Sequence, residues 1–208
     1  MVYYQKMAFT HTPNRLFLLW LSISLPLVLW DFSYVMLRPH SMPGGKWHLP
    51  WKPYALYCEI DLVYGFQHYY DGNGFNPAQS AMNFVETVTY IYYLYLVRRY
   101  PVGKGEVVGF LGSRKLQGRE AGKAVVWGLI ACVATFWKTV IYWLIEILGG
   151  YKNIGHNDFN TLFWFWIMTN GPWLVLPSYG IYQFGKEIVD GLSVPAAGGT
   201  NGVMRKVE

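Results

Sequence analysis

The chain has 208 residues, of which 53% are hydrophobic and 19% aromatic, while only 14% are charged, with a formal net charge of +5. Soluble domains carry about 25% charged residues, so this balance argues against an ordinary soluble enzyme and points into lipid. Nucleic acid is not expected as a partner, because the basic residues lie between apolar stretches and build no continuous stripe.

Taken in chain order, residues 16–37 form the first stretch long enough to cross the hydrocarbon layer, which takes about 20 helical residues. It is too long for a signal-peptide core and lacks a small-residue cleavage site, so it is expected to stay as an anchor. Residues 38–50, with Pro39, Pro43, Gly44, Gly45 and Pro50, read as an irregular loop. Residues 53–70 are apolar but hold Glu59 and Asp61, and read as a partly embedded helix that a fifth span would replace. Further spans are expected over 77–97, with Pro77 in its first turn, over 124–148, stopped by Gly149-Gly150, and over 161–184. The expected fold is therefore all-α: an integral membrane bundle of four transmembrane helices plus the embedded segment. Residues 1–190 form one domain and 191–208 a flexible tail.

Orientation follows from charge. Arg98, Arg99, Lys104, Arg114, Lys115, Arg119 and Lys123 all fall between the second and third spans, which places that loop in the cytosol. Four spans put twelve basic residues inside against four outside; five spans give thirteen against three. The C-terminus is cytosolic either way, and Arg205-Lys206 resembles a dibasic signal for return to the endoplasmic reticulum, or is a solvated basic tail. Cys58 and Cys132 lie in different environments and are not expected to pair.

Ionisable groups inside a membrane are costly and mark function by default. Counting about 1.5 Å per residue, Asp31 lies roughly 10 Å below the non-cytosolic end of its helix, Glu86 about 14 Å, and Lys138 and Asn170 about 18 Å. All four fall between that end and the bilayer middle, so they are expected to share a chamber. Residues three or four apart share a helix face, which sets Asn83 and Tyr90 beside Glu86, Tyr142 and Glu146 beside Lys138, and Trp166, Trp173 and Pro177 beside Asn170. Buried carboxyls can exchange protons near neutrality, so Glu86 and Asp31 are the candidate catalytic residues. Lys138 reads also as an ion-pair partner for either acid, Asn170 as a bond between helices, and Glu146 as an interfacial carboxylate. Pro172 withholds an amide hydrogen from a carbonyl near Met168, which predicts a kink that turns Asn170 and Trp173 toward a cavity. His40, His48, His68 and His156 lack zinc-like spacing, Gly103-Lys104-Gly105 lacks the context of a phosphate loop, and no cofactor or metal is expected.

Val85-Glu86-Thr87-Val88, Tyr142-Trp143-Leu144-Ile145-Glu146 and Asn170-Gly171-Pro172-Trp173-Leu174-Val175-Leu176-Pro177 resemble motifs of the EXPERA superfamily, whose members include a sterol isomerase (emopamil-binding protein) and the sigma-2 receptor. Trp51-Lys52-Pro53-Tyr54, Asp61-Leu62-Val63-Tyr64 and Trp30-Asp31-Phe32 are similar to further family motifs. The resemblance implies a four-helix fold in the endoplasmic reticulum membrane with a pocket for sterol-like or cationic amphiphilic ligands. It also implies Glu86, Asn170 and Trp173 as pocket residues, with Asp31 and Asp61 shared with the receptor branch. Two departures stand out. The first span has no histidine where the isomerase has a His-x-x-x-Glu pair, and Lys138 stands where the family more often has a small residue.

The leading reading is a membrane isomerase or cyclase acting on a hydrophobic sterol, terpenoid or polyene, including ring closure of the kind found in fungal specialised metabolism. Glu86 or Asp31 would move protons, while Asn170, Trp173, Tyr142, Lys138, Asp61, Asn83, Tyr90 and Trp166 would bind substrate. The alternatives are a non-catalytic lipid receptor or chaperone and a structural membrane subunit. Membrane lipid is the second expected partner, and a homodimer is left open.

Overall fold

A computed structural model describes residues 8–102 and 115–193. Lys104, Arg114 and the phosphate-loop candidate at 103–105 lie outside the described residues, as do 194–208 with the dibasic Arg205-Lys206. The architecture is almost wholly helical. Four long stretches make the bundle: α1 (Arg15–Met36), α4 (Phe75–Arg99), α5 (Gly118–Leu148) and a composite rod. The rod runs through α6 (Phe159–Leu162), a π-helical turn (Phe163–Ile167), α7 (Met168–Asn170) and α8 (Pro172–Ser193). Helix α1 packs on α4, α4 on α5 and α5 on α8, whereas α1 stands farther from α8 and meets it through large side chains such as Phe17 on Phe184 and Trp20 on Trp173. Of the described helices, α1 and α5 are long and apolar enough to cross a bilayer. Helix α4 is less apolar because it carries Asn76, Gln79, Asn83, Glu86 and several tyrosines, and the stretch over 161–184 is divided at Gly171.

Local chemistry explains the helix ends. Asn14 caps α1 through its Oδ1, which accepts the amides of Leu16 and Phe17 at 2.8 and 3.4 Å. Asp158 caps α6 in the same way at Asn160 and Thr161. Helix α5 stops at Gly149; Gly150 adopts φ +71°, and the Tyr151 amide turns back to the Glu146 carbonyl at 2.7 Å, so the expected glycine stop is present. The same helix begins six residues before the expected 124, so Arg119 and Lys123 belong to it rather than to a loop. Helix α8 likewise runs to Ser193, past the expected domain limit at 190.

Residues 53–70 are not one helix. They divide into α2 (Tyr54–Ile60), a 3-10 turn (Leu62–Tyr64) and α3 (Phe66–Tyr70). The break lies at Asp61, whose backbone is extended and whose Oδ1 accepts the Val63 amide at 3.1 Å. That local bond competes with helix continuation. This segment folds across the end of the bundle and is tied to the 150–157 turn by Leu62 to the Asn153 carbonyl (3.2 Å) and Asn157 to the Ile60 carbonyl (2.8 Å). A short antiparallel pair, β1 (Thr10–His11) with β2 (Leu116–Gln117), closes the other end and was not expected from the sequence.

The expected kink at Pro172 takes a milder form. Gly171 keeps helical angles (φ −57°, ψ −41°) and the larger irregularity is the π-helical turn one step earlier. Side chains collect carbonyls along it: Thr169 Oγ1 donates to the Phe165 carbonyl at 2.6 Å and Asn170 Nδ2 to that of Trp166 at 2.8 Å. The buried core joins Phe17, Leu21, Tyr93, Leu96, Cys132 and Phe184, while the outward faces of the long helices carry exposed Leu19, Ile23, Val88, Ile130, Ile141 and Val175. Cys58 and Cys132 are both buried and unpaired.

The α5–α8 contact depends on two glycines. A Cβ on Gly128 would lie 2.6 Å from the Phe184 ring, and one on Gly180 would lie 2.5 Å from Cys132 Sγ. Gly180→Ala is therefore expected to destabilise the detergent-solubilised protein by about 1–3 kcal/mol, as overpacking does. Adding Cys132→Ala should restore most of the loss, and thermal unfolding of the single and double variants checks both statements.

Candidate functional site

Lys138 on α5 and Glu86 on α4 form a buried ion pair, with Nζ 2.8 Å from Oε2 and exposures of 8% and 6%. Thr135, one turn before Lys138, donates to the same Oε2 at 2.9 Å, and Tyr90 OH lies 3.2 Å from the Thr135 hydroxyl. Lys138 also donates to Asn83 Oδ1, and Asn83 Nδ2 donates to Asp31 Oδ2 at 3.2 Å. Tyr54 fills the other Asp31 oxygen at 2.5 Å. Of the two pairings open to Lys138, the ion pair forms with Glu86, while Asp31 is reached through an amide.

Glu86 Oε1 is buried and has no hydrogen-bond partner; neither does Thr87 Oγ1 beside it. Both residues line a small void of about 10 Å³ between α1, α4, α5 and α8, walled by Trp20, Leu25, Val28, Tyr90 and Trp173. That space suits about one water molecule. The Trp20 and Trp173 rings meet edge to face at 5.0 Å where α1 approaches α8.

A second polar group lies nearer the end covered by residues 38–74. Asp61, 1% exposed, accepts Tyr142 OH and Trp166 Nε1 on Oδ2, the latter at 3.0 Å. Burial pushes its carboxyl up to about 6, although the bonds from Tyr142, Val63 and Trp166 pull the other way. Asn170 belongs here, with Nδ2 3.2 Å from Tyr57 OH. The rings of Tyr54, Tyr57 and Tyr64, with centroids 5.1–5.8 Å apart, stand between the two groups.

The single expected chamber is thus two centres. Glu86, Lys138, Asn83, Asp31, Tyr90 and Trp173 gather at one; Asp61, Tyr142, Trp166 and Asn170 gather at the other. Depth along a helix does not specify azimuth, and the π-helical turn rotates Trp166 and Asn170 toward α2. Only Trp173 of the expected Asn170–Trp173 pair lines the void, and Asp31 does not line it. Glu146 is 2% exposed and holds Asn153 by its Nδ2 (2.6 Å) and amide (3.2 Å), which replaces its reading as an interfacial carboxylate.

Thr135, Thr87, Ser24, Trp20 and the three tyrosines were not singled out as site residues from the sequence, although Thr87, Tyr54 and Tyr64 fall within the EXPERA-like motifs. Spacing could have found two of them, because Trp20, Ser24, Val28 and Asp31 form one helical stripe. His11 was missed as well. It is 2% exposed, with Nδ1 2.7 Å from Glu187 Oε2 and Nε2 3.1 Å from Tyr93 OH, beside a cleft of about 260 Å³ at the opposite end of the bundle. Compared with family models, curated proteins and solved structures, the chain finds no match in any of the three.

Removing one partner of a buried ion pair leaves an uncompensated charge. Lys138→Met is expected to cost about 3–5 kcal/mol, and Glu86→Gln added to it should recover much of that, measured by thermal unfolding. Asp61 carries the opposite sign from a salt-bridged acid. Burial raises its folded carboxyl from the ordinary 3.8 to about 6, so the folded state holds the proton longer. The protein should lose about 3 kcal/mol of stability in all as pH rises from about 3 to about 7, about 2 of it between about pH 4 and 6, and then level off, relative to an Asp61→Asn variant lacking that slope.

Proposed function

We propose that the protein is a multi-pass endoplasmic reticulum membrane protein that isomerises or cyclises a hydrophobic sterol, terpenoid or polyene in a pocket between its helices. The EXPERA-like motifs, the apolar outer faces and the two apolar helices α1 and α5 support this reading. In it, α4 and the composite rod also span, residues 38–74 cap the non-cytosolic side, and the C-terminus lies in the cytosol.

The observation that carries the catalytic reading is the division of labour on one carboxylate. Oε2 of Glu86 accepts from Lys138 and Thr135, whereas Oε1 has no partner on a residue that lines an aromatic-walled void. The Lys138 ammonium 2.8 Å from Oε2 favours a role for Glu86 as proton acceptor. Glu86 accepts a proton from a substrate carbon, and the C–H electron pair becomes the new double bond. Asp31, which does not line the void and whose two oxygens are held by Tyr54 and Asn83, positions Asn83 and through it Lys138; the proton that first adds to the substrate comes from water, and Glu86 returns the proton it removes to water, so no oxidant or reductant is needed. Between these steps the Trp20, Tyr90 and Trp173 faces stabilise the cation, an interaction worth about 2 kcal/mol or more when dry.

The alternative, a lipid-binding receptor or chaperone, is favoured by the lining of the void, which among the described residues includes no carboxyl besides Glu86 to act as its acid partner. A drug-sized ligand fills about 300–1,000 Å³, so a substrate must part α1 from α8 along their seam. Incubating purified protein with a sterol carrying a Δ8 bond, and separately with a linear polyene, in deuterated water separates the two. Label in an isomerised or cyclised product supports catalysis, and Glu86→Gln should then lower turnover by about a hundredfold or more. Binding without label or product supports the receptor, and parental turnover by Glu86→Gln removes Glu86 from the mechanism.

A further inference from the structure

We infer that the void beside Glu86 is a recognition site for a neutral hydroxyl group, so that the hydrophobic ligand is an alcohol rather than an amine or a plain hydrocarbon. The inference deepens the intramembrane-pocket reading above and rests on it. Two residues that line one void each keep a buried polar atom without a partner: Glu86 Oε1, an acceptor only, and Thr87 Oγ1, which can donate and accept. These residues are 6% and 2% exposed, and buried groups of this kind are ordinarily satisfied. A hydroxyl completes both at once, donating to one lone pair of Oε1 and accepting from Oγ1, and leaves the second lone pair of Oε1 for the proton of a nearby substrate carbon. The volume of about 10 Å³ admits a group of that size.

Charge separates the alcohol from the amine. Glu86 already holds the Lys138 ammonium at 2.8 Å, so a ligand ammonium at Oε1 would set two cations on one carboxylate. The neighbouring acid offers no escape, since Tyr54 and Asn83 occupy both Asp31 oxygens and Asp31 does not line the void. The chain behind the hydroxyl lies along the α1–α8 seam, between the Trp20 and Trp173 rings that border the void.

Farnesol, farnesylamine and farnesene share a chain and differ in the end group, so their binding to the full-length protein in nanodiscs, followed by tryptophan fluorescence, tests the assignment. Farnesol should bind about tenfold or more tighter than either analogue. Thr87→Val, which removes only the unpartnered hydroxyl, should reduce the farnesol advantage severalfold without lowering the unfolding temperature or changing farnesene binding. Lys138→Met, where it folds, should reverse the order of alcohol and amine. Equal binding of all three, the mark of a void holding an ordered water only, overturns the inference, as does tighter binding of the amine by the parent protein. Alcohol preference without turnover of any substrate would sink catalysis alone, whereas turnover of plain hydrocarbons without alcohol preference would sink this inference alone.

Discussion

A carboxylate enclosed by helices must be neutralised, and the structure around the centre of this bundle follows from how Glu86 meets that demand. Its counterion comes from α5, so the pair fixes the register of α4 against α5. The remaining capacity of the Lys138 ammonium goes to Asn83, which in turn holds Asp31 of α1. One electrostatic requirement therefore ties three helices at a common level. Thr135 completes the arrangement from the same face of α5 as the lysine, leaving the second carboxylate oxygen free on the side of α1 and α8.

The second constraint is Asp61. Its carboxylate ends one short helix, caps the next turn and receives bonds from both long elements on the far side, Tyr142 of α5 and Trp166 of the composite rod. A hydrophobic segment that could have been a fifth span becomes instead a folded cover whose acid anchors it. The π-helical turn makes this geometry reachable, because it redirects Trp166 and Asn170 toward the cover instead of toward Glu86. The tyrosines between the two centres supply hydroxyls that bond to acids and amides and faces that stack on one another, as in the Tyr34–Tyr54 pair with centroids 3.9 Å apart.

Packing is uneven around the bundle. Small residues let α5 and α8 approach closely, whereas α1 and α8 meet through larger side chains, Trp20 on Trp173, Phe17 on Phe184 and Asn14 on Tyr179. The Trp20–Trp173 part of that seam borders the void lined by Glu86 and Thr87, each of which keeps one unpartnered polar atom. Under the proposed function, substrate access and polar recognition thus coincide on the same side of the molecule. The saturated faces of Glu86 and Asp31 hold the scaffold.

The sequence by itself determined the helical class, the four long apolar stretches with their glycine and proline punctuation, and the shortlist of buried acids. Each of these depends on composition or on residues within one or two turns of each other. Helical spacing also marked the inward stripes that carry Glu86, Lys138, Tyr142 and Trp166. Only the tertiary structure decided that Lys138 pairs with Glu86 and not Asp31, that Asn170 joins Asp61, and that residues 53–70 break at an acid capping its own turn. The β1–β2 pair and the burial of His11 against Glu187, more than a hundred residues apart in the chain, were equally beyond local reading. Periodicity gives a residue's face and depth on its own helix, but rotation of one helix against another is set by which side chains fit and which charges must be paired, and that is a property of the assembled bundle.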